Sequence, residues 1–218
     1  MQRFNFFSAL EHRKQENFRG ARDRLVRPLV DALIAWRVQP DGVSALGMLC
    51  LVPFGLVVTL APPTPATMAL ACGLLFLHVI LDGLDGPLAR RLGREGHGGA
   101  LVDMMCDHCG MIVVTLQLSL AGLIDGSVAG LYVITYTLMI AFTIWLNALG
   151  RPFQFIFRTK YFLYAFFAVY AGTGVNFLTP VLLLFSTYHL LPILTGYHRV
   201  REELKKLDRR DAYAEESV

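Results

Sequence analysis

The chain has 218 residues, 55% of them hydrophobic and only 17% charged, with a formal net charge of +3. A mean hydropathy of +0.49 is too apolar for an ordinary soluble domain, and the length leaves room for about one domain. The basic residues follow the ends of apolar runs and no stacking-aromatic pattern accompanies them, so nucleic acid is not an expected partner; anionic lipid headgroups account for them more simply.

From the N-terminus, residues 1–20 contain Phe4, Phe6 and Phe7 but no sustained apolar core, so no secretory signal is expected. Residues 21–38 place Leu25, Leu29, Leu33 and Trp36 at helical spacing among Arg22, Arg24 and Asp31, which predicts an amphipathic helix on a membrane surface. Apolar runs follow at 43–61, 66–89, 98–123, 127–149, 159–177 and 178–197, each near the ~20 residues that span a bilayer. The expected fold is therefore an all-α integral membrane protein with six transmembrane helices and an N-terminal amphipathic surface helix. Its parts are a segment over 1–40, a six-span domain over 41–197 and a charged tail over 198–218, helical at first and frayed later. No internal repeat is visible.

Lys and Arg fix the expected orientation. Eight precede Pro40, three (Arg90, Arg91, Arg94) follow the second run, three (Arg151, Arg158, Lys160) lie between the fourth and fifth, and six follow Tyr197. These are all 20, and the other three connections carry none. By the positive-inside rule both termini face the cytoplasm, and the small size suggests a bacterial inner membrane. Of the four cysteines, Cys106 and Cys109 form CxxC inside a predicted span with no second pair, which reads as packing rather than a metal knuckle.

The same cytoplasmic ends carry four aspartates: Asp82, Asp85, Asp103 and Asp107. An acid at membrane depth is costly unless neutralised, so it is a functional candidate by default. Spacings of i,i+3 and i,i+4 put the acids of each helix on one face, and the short connection RRLGREGHG makes the two helices antiparallel neighbours with converging acidic faces. The other residues on those faces, Gly86, Ala89 and Gly99, are small and leave room for a ligand. Four carboxylates carry −4, which two divalent cations balance, and oxygen-only ligands favour Mg²⁺ or Mn²⁺. Such a metal pair suits phosphoryl chemistry, with one carboxylate as candidate general base. A structural salt-bridge cluster with Arg90, Arg91 and Arg94 is the bland alternative; buried ion pairs stabilise poorly.

The pattern Asp82-x-x-Asp85-Gly86-x-x-Ala89-Arg90, eight residues, then Gly99-x-x-x-Asp103-x-x-x-Asp107, resembles the signature of the CDP-alcohol phosphotransferase family, with every signature position filled. Pro40-Asp41-Gly42-Val43-Ser44-x-x-Gly47 is a weaker second match, in which Asp41 and Ser44 replace the more usual Asn and Thr; by itself Asp41 reads equally well as a helix N-cap. The resemblance implies transfer of a substituted phosphate from a CDP-linked donor such as CDP-diacylglycerol to an alcohol, with release of CMP. It implies that Asp82, Asp85, Asp103 and Asp107 hold two metal ions, that Asp107 also deprotonates the acceptor, and that Asp41, Ser44, Asp82, Gly86, Ala89, Arg90 and Gly99 meet the CDP moiety. Arg90 either balances phosphate or braces the acids. It also implies a homodimer. Arg151, Arg158 and Lys160 are candidates for an acceptor phosphate, weighed against ordinary positive-inside charge; His108 stands where many relatives with phosphorylated acceptors have Arg or Lys. His78, one turn before Asp82, His189 and Asn147 read first as packed or locally bonded residues. A cation transporter built on the acids and an inactive scaffold are the competing functions.

Overall fold

A computed structural model describes residues 9–94, 96–153 and 156–216; residues 1–8, where no secretory signal is expected, lie outside the described residues. The described residues form helices and connections, with no strand among them. In chain order the helices are α1 (Ala9–Ala35), α2 (Pro40–Leu49), α3 (Leu51–Leu60), α4 (Pro65–Asp82), α5 (Asp85–Arg91), α6 (His97–Leu120), α7 (Gly126–Ala148), α8 (Thr159–Thr173) and α9 (Leu178–Glu216). Five stretches among the described residues are long and apolar enough to cross a membrane: Pro40–Leu60, Pro65–Arg91, Gly98–Leu120, Gly126–Ala148 and Leu178–Asp208. Large apolar side chains such as Leu56, Phe76, Leu116 and Leu184 point outward, as expected where lipid rather than water is the solvent.

The helix limits follow local chemistry. Thr64 caps α4 through a reciprocal box with Thr67, and Pro65 occupies the first turn, where its missing N–H costs nothing. Asp125 caps α7 by accepting from the Ser127 and Val128 amides at 2.9 and 3.1 Å. Gly174, at φ 74°, ends α8 in the left-handed conformation that only glycine adopts without strain.

The structure departs from the sequence expectations in five places. The first apolar run is two helices, α2 and α3, meeting at Cys50 just before Pro53, which has no N–H for the ladder. The second breaks at Gly83–Leu84, so Asp82 ends α4 and Asp85 begins α5. The fifth expected span, α8, has 15 residues, about 22 Å of helix against a core of about 30 Å; the six-span count therefore stands at five qualifying stretches. The tail does not fray within the described residues, since α9 continues to Glu216. Finally, α1 begins at Ala9, well before residue 21, and its apolar side chains divide. Val30 is buried with Val43, Leu84 and Leu88, and Val26, Leu33 and Ile34 pack beside it. Leu25 and Trp36 stay 82% and 77% exposed.

The core runs through the bundle. α7 and α9 make the most extensive helix pair, α4 packs on α2, α3 and α8, and α6 packs on α2, α3 and α7. Close approach depends on glycine at two positions. A Cβ on Gly55 would fall on the Gln117 side chain, whose amide donates to the Leu51 carbonyl at 3.0 Å. A Cβ on Gly196 would lie 2.8 Å from Cβ of Phe142.

Candidate active site

α4, α6 and α8 bring the site together. Asp103 and Asp107 are one turn apart on α6, and Asp82 is the last residue of α4. One carboxylate oxygen from each of Asp82, Asp103 and Asp107 lies within 4.8 Å of the others. This all-oxygen set, in a shared space that three carboxylates line, suits a hard divalent cation such as Mg²⁺ or Mn²⁺.

The fourth acid takes a different place. Asp85 is 9% exposed, and its carboxylate accepts from the Ser44 hydroxyl at 2.6 Å and from the Gly86 amide at 2.5 Å. The turn at Gly83–Leu84 is the physical reason: Asp82 and Asp85 belong to different helices and no longer share one continuous face. Three carboxylates, not four, supply the close ligand set among the described residues. Ser44 is thereby drawn to the site through Asp85. Asp41 is exposed in the first turn of α2, and Gln39 rather than Asp41 holds the N-cap position.

The arginines of the salt-bridge alternative lead away from the acids. Arg90 grips Asp23 of α1 with Nη2 at 2.9 and 3.0 Å and Nε at 3.3 Å. Arg91 pairs with Asp31 at 2.8 Å, and Arg94 donates to Gln39 at 2.8 Å. Arg90 thus ties α5 to α1, a role outside both sequence alternatives. Charge compensation comes instead from Lys160 on α8. Its ammonium donates to Asp82 at 2.7 Å and also to Asp107, and the residue is 5% exposed. Thr159 beside it, bonded to the Tyr132 hydroxyl at 2.7 Å, fixes the start of α8.

The two signature glycines are uncrowded. A Cβ on Gly99 would meet nothing within 4 Å, and one on Gly86 would meet only the Arg90 guanidinium at 3.6 Å. Ala89 is half-buried on α5. Next to Asp103 and Asp107 is a cavity of about 140 Å³, walled by Tyr136, Met139, Thr143 and Asn147 of α7 and lined also by Arg158 and Lys160. Asn147 is 7% exposed; its amide donates to the Thr143 carbonyl at 2.7 Å. Arg151 stands apart, paired with Glu203 of α9 at 3.5 Å beside a second hollow shared with Arg199 and Lys206.

Sequence reasoning placed Lys160 among acceptor ligands and missed its bond to the acids, which lie 78 and 53 residues away. Of the α7 wall it named only Asn147, as a weak candidate. Tyr136, Ile140, Thr143 and Asn147, at steps of four, three and four, were a legible polar-bearing stripe in an apolar helix. The histidines behave as packed residues. His78 donates from Nδ1 to the Gly47 carbonyl at 2.9 Å, His108 meets Thr137 at 3.3 Å, and His189 sits among Tyr132 and Tyr136. The four cysteines are free thiols.

Among curated proteins, the phosphatidylinositol phosphate synthase of Cutibacterium acnes is 30% identical over 105 residues, which is 44% of this chain and 44% of that relative's length. Among solved structures, the phosphatidylinositol phosphate synthase of Mycobacterium tuberculosis with manganese and citrate aligns at TM-score 0.65 and 21% identity, over 79% of this chain and 87% of that one. The same enzyme with CDP-DAG bound aligns at 0.60 and 20% identity, over 81% and 94%. At these identities the structural likeness establishes the fold. The family model of the CDP-alcohol phosphatidyltransferases matches residues 37–193, and with the whole signature inside that stretch the chain belongs to the CDP-alcohol phosphatidyltransferase family.

Proposed function

We propose that the protein is an integral membrane enzyme of phospholipid synthesis that transfers a phosphatidyl group from CDP-diacylglycerol to an alcohol and releases CMP. The observation that carries this reading is the trio Asp82, Asp103 and Asp107, with oxygens within 4.8 Å of one another, opening beside a cavity that also holds two basic residues. The structural relatives carry manganese in one case and CDP-DAG in another, and the all-oxygen donor set fits Mg²⁺ or Mn²⁺ in a pair. Bound divalent ions would supply charge stabilisation on the diphosphate and on the departing CMP.

The protein's own residues position and deprotonate. Asp82, Asp103 and Asp107 hold the metal, and Asp85 joins through the carboxylate that Ser44 orients. Gly86, Ala89 and Gly99 leave space for the CDP group, with Asp41 and Arg90 at its periphery. Asp107, one turn from Asp103 and facing the cavity, takes the proton from the acceptor hydroxyl. The acceptor oxygen then bonds to the lipid-side phosphorus as the bond from that phosphorus to CMP breaks. The work is mostly positioning and electrostatics.

The cavity between α6, α7 and α8 suits the acceptor, and Arg158 is the residue best placed for an acceptor phosphate. Arg151 and Lys160 are poorer candidates, because one sits over α9 and the other on the acids. The distribution of Lys and Arg supports a site and termini facing the cytoplasm, with α8 completing six crossings and α1 lying at the surface, and the small size favours a bacterial inner membrane. A homodimer follows from the family resemblance.

The test is CMP release by the detergent-purified chain with CDP-diacylglycerol, Mg²⁺ or Mn²⁺ and a panel of acceptors: glycerol 3-phosphate, inositol phosphate, inositol, serine and phosphatidylglycerol. Release that needs both metal and one acceptor supports the reading. A folded protein that binds Mn²⁺ yet releases no CMP with any acceptor returns the site to the transporter or scaffold readings.

A further inference from the structure

Lys160 donates directly to two acids of the cluster, and burial makes that contact consequential. An ammonium at 5% exposure keeps its charge only if anions and hydrogen-bond acceptors replace water around it. Asp82 and Asp107 do this, and the Tyr161 ring lies 5.4 Å from Nζ. Those two carboxylates are also two of the three that offer oxygens for a divalent ion. The stem cannot drift far, because Thr159 is 1% exposed and bonded to Tyr132. The four aspartates and Lys160 together carry −3, so the site holds a cation of its own before any metal arrives.

We propose that Lys160 is a resident cation that competes with divalent metal for Asp82 and Asp107, so that the metal affinity of this protein is set by how readily its ammonium gives up those oxygens. The proposal rests on the metal-dependent reading above and adds a control to it. Lys160 holds the carboxylates together when their mutual repulsion would spread them, and it must release at least one before a divalent ion can take the full oxygen set. A positive charge kept at the cluster also opposes the incoming ion directly. The relation is reciprocal: bound metal weakens the lysine contact by the same factor by which that contact weakens metal binding.

The experiment uses the full chain, purified in detergent and stripped with chelator, with Mn²⁺ as the probe and its free concentration read by electron paramagnetic resonance. Lys160→Met and Lys160→Gln remove the charge, and Lys160→Arg keeps it. The expected result is Mn²⁺ binding tighter by about tenfold in the neutral variants, within the usual range of such couplings, with Lys160→Arg near wild type. If the neutral variants unfold when stripped but recover on addition of Mn²⁺, metal is replacing the lysine and the proposal holds. Equal or weaker Mn²⁺ binding in folded neutral variants overturns it, as does failure to fold even with Mn²⁺. If neither the wild type nor any variant binds Mn²⁺, the metal reading itself falls and this inference falls with it, whereas binding by the wild type with unchanged affinity in the neutral variants sinks this inference alone.

Discussion

Ser44→Ala tests whether the site depends on a residue that no acid-spacing argument would place there. Ser44 and Asp85 are 7% and 9% exposed, and their bond is 2.6 Å. A hydrogen bond to a charged group contributes about 1.5–3 kcal/mol, and a buried acceptor deprived of its donor bears that loss without water to restore it. The Gly86 amide stays in place, so Asp85 keeps one partner but loses the one that ties it across to α2. If that bond orients Asp85 for catalysis, kcat/KM should fall by roughly 10- to 150-fold, at about 1.4 kcal/mol per factor of ten. The assay is CMP release at fixed metal and donor. Ser44→Thr keeps the hydroxyl and should recover most of the activity. Wild-type kcat/KM in Ser44→Ala, or equal loss in the alanine and threonine variants, would refute the role assigned to this bond.

Three further outcomes are expected. Asp107→Asn should lower turnover by about 10²–10⁴-fold, the usual contribution of a general base; near-normal turnover would remove Asp107 from that role. Gly196→Ala should destabilise the α7–α9 contact by about 1–3 kcal/mol, the typical overpacking penalty, because the new Cβ meets Phe142 Cβ at 2.8 Å and the Phe153 ring at 3.1 Å; a melting temperature equal to wild type in the same detergent would contradict it. Asp23→Asn should cost only about 0.2–1 kcal/mol, since the Arg90–Asp23 side chains are 29% and 36% exposed. Its signature should be faster hydrogen exchange within residues 23–35 and not a global loss of stability, and uniform exchange across the chain would argue against α1 as a separately gripped element.

Much of this arrangement was legible because membrane sequences separate their signals sharply. Apolar length located five stretches that the structure retains, and helical spacing put Gly99, Asp103 and Asp107 on one face of α6. What spacing could not supply was the interruption inside a run. Asp82-Gly83 is a turn-favouring dipeptide that the long apolar run before it masked, and that turn sends Asp85 toward Ser44 while Asp82 stays with Asp103 and Asp107. The contact of Lys160 with the acids was hidden for a similar reason. Its neighbours in sequence are Arg158 and the aromatic Tyr161, and the positive-inside rule explains any lysine in that position. Only the packing of α8 on α4 turns it toward the acids. The actual partners of the arginines beside the signature were equally hidden, since each reaches a residue of α1 or the linker after it, 55 to 67 residues earlier.

The grip of α1 on α5 bears on where this protein can be cut. The family model starts at residue 37, which invites a version trimmed to that boundary for expression. Such a version would strip Val26, Val30, Leu33 and Ile34 from Val43, Leu84 and Leu88, and would remove Asp23 and Asp31 from Arg90 and Arg91. The stretch that the family model matches is therefore shorter than the unit that holds itself together, and a trimmed protein's inactivity would say nothing about its aspartates.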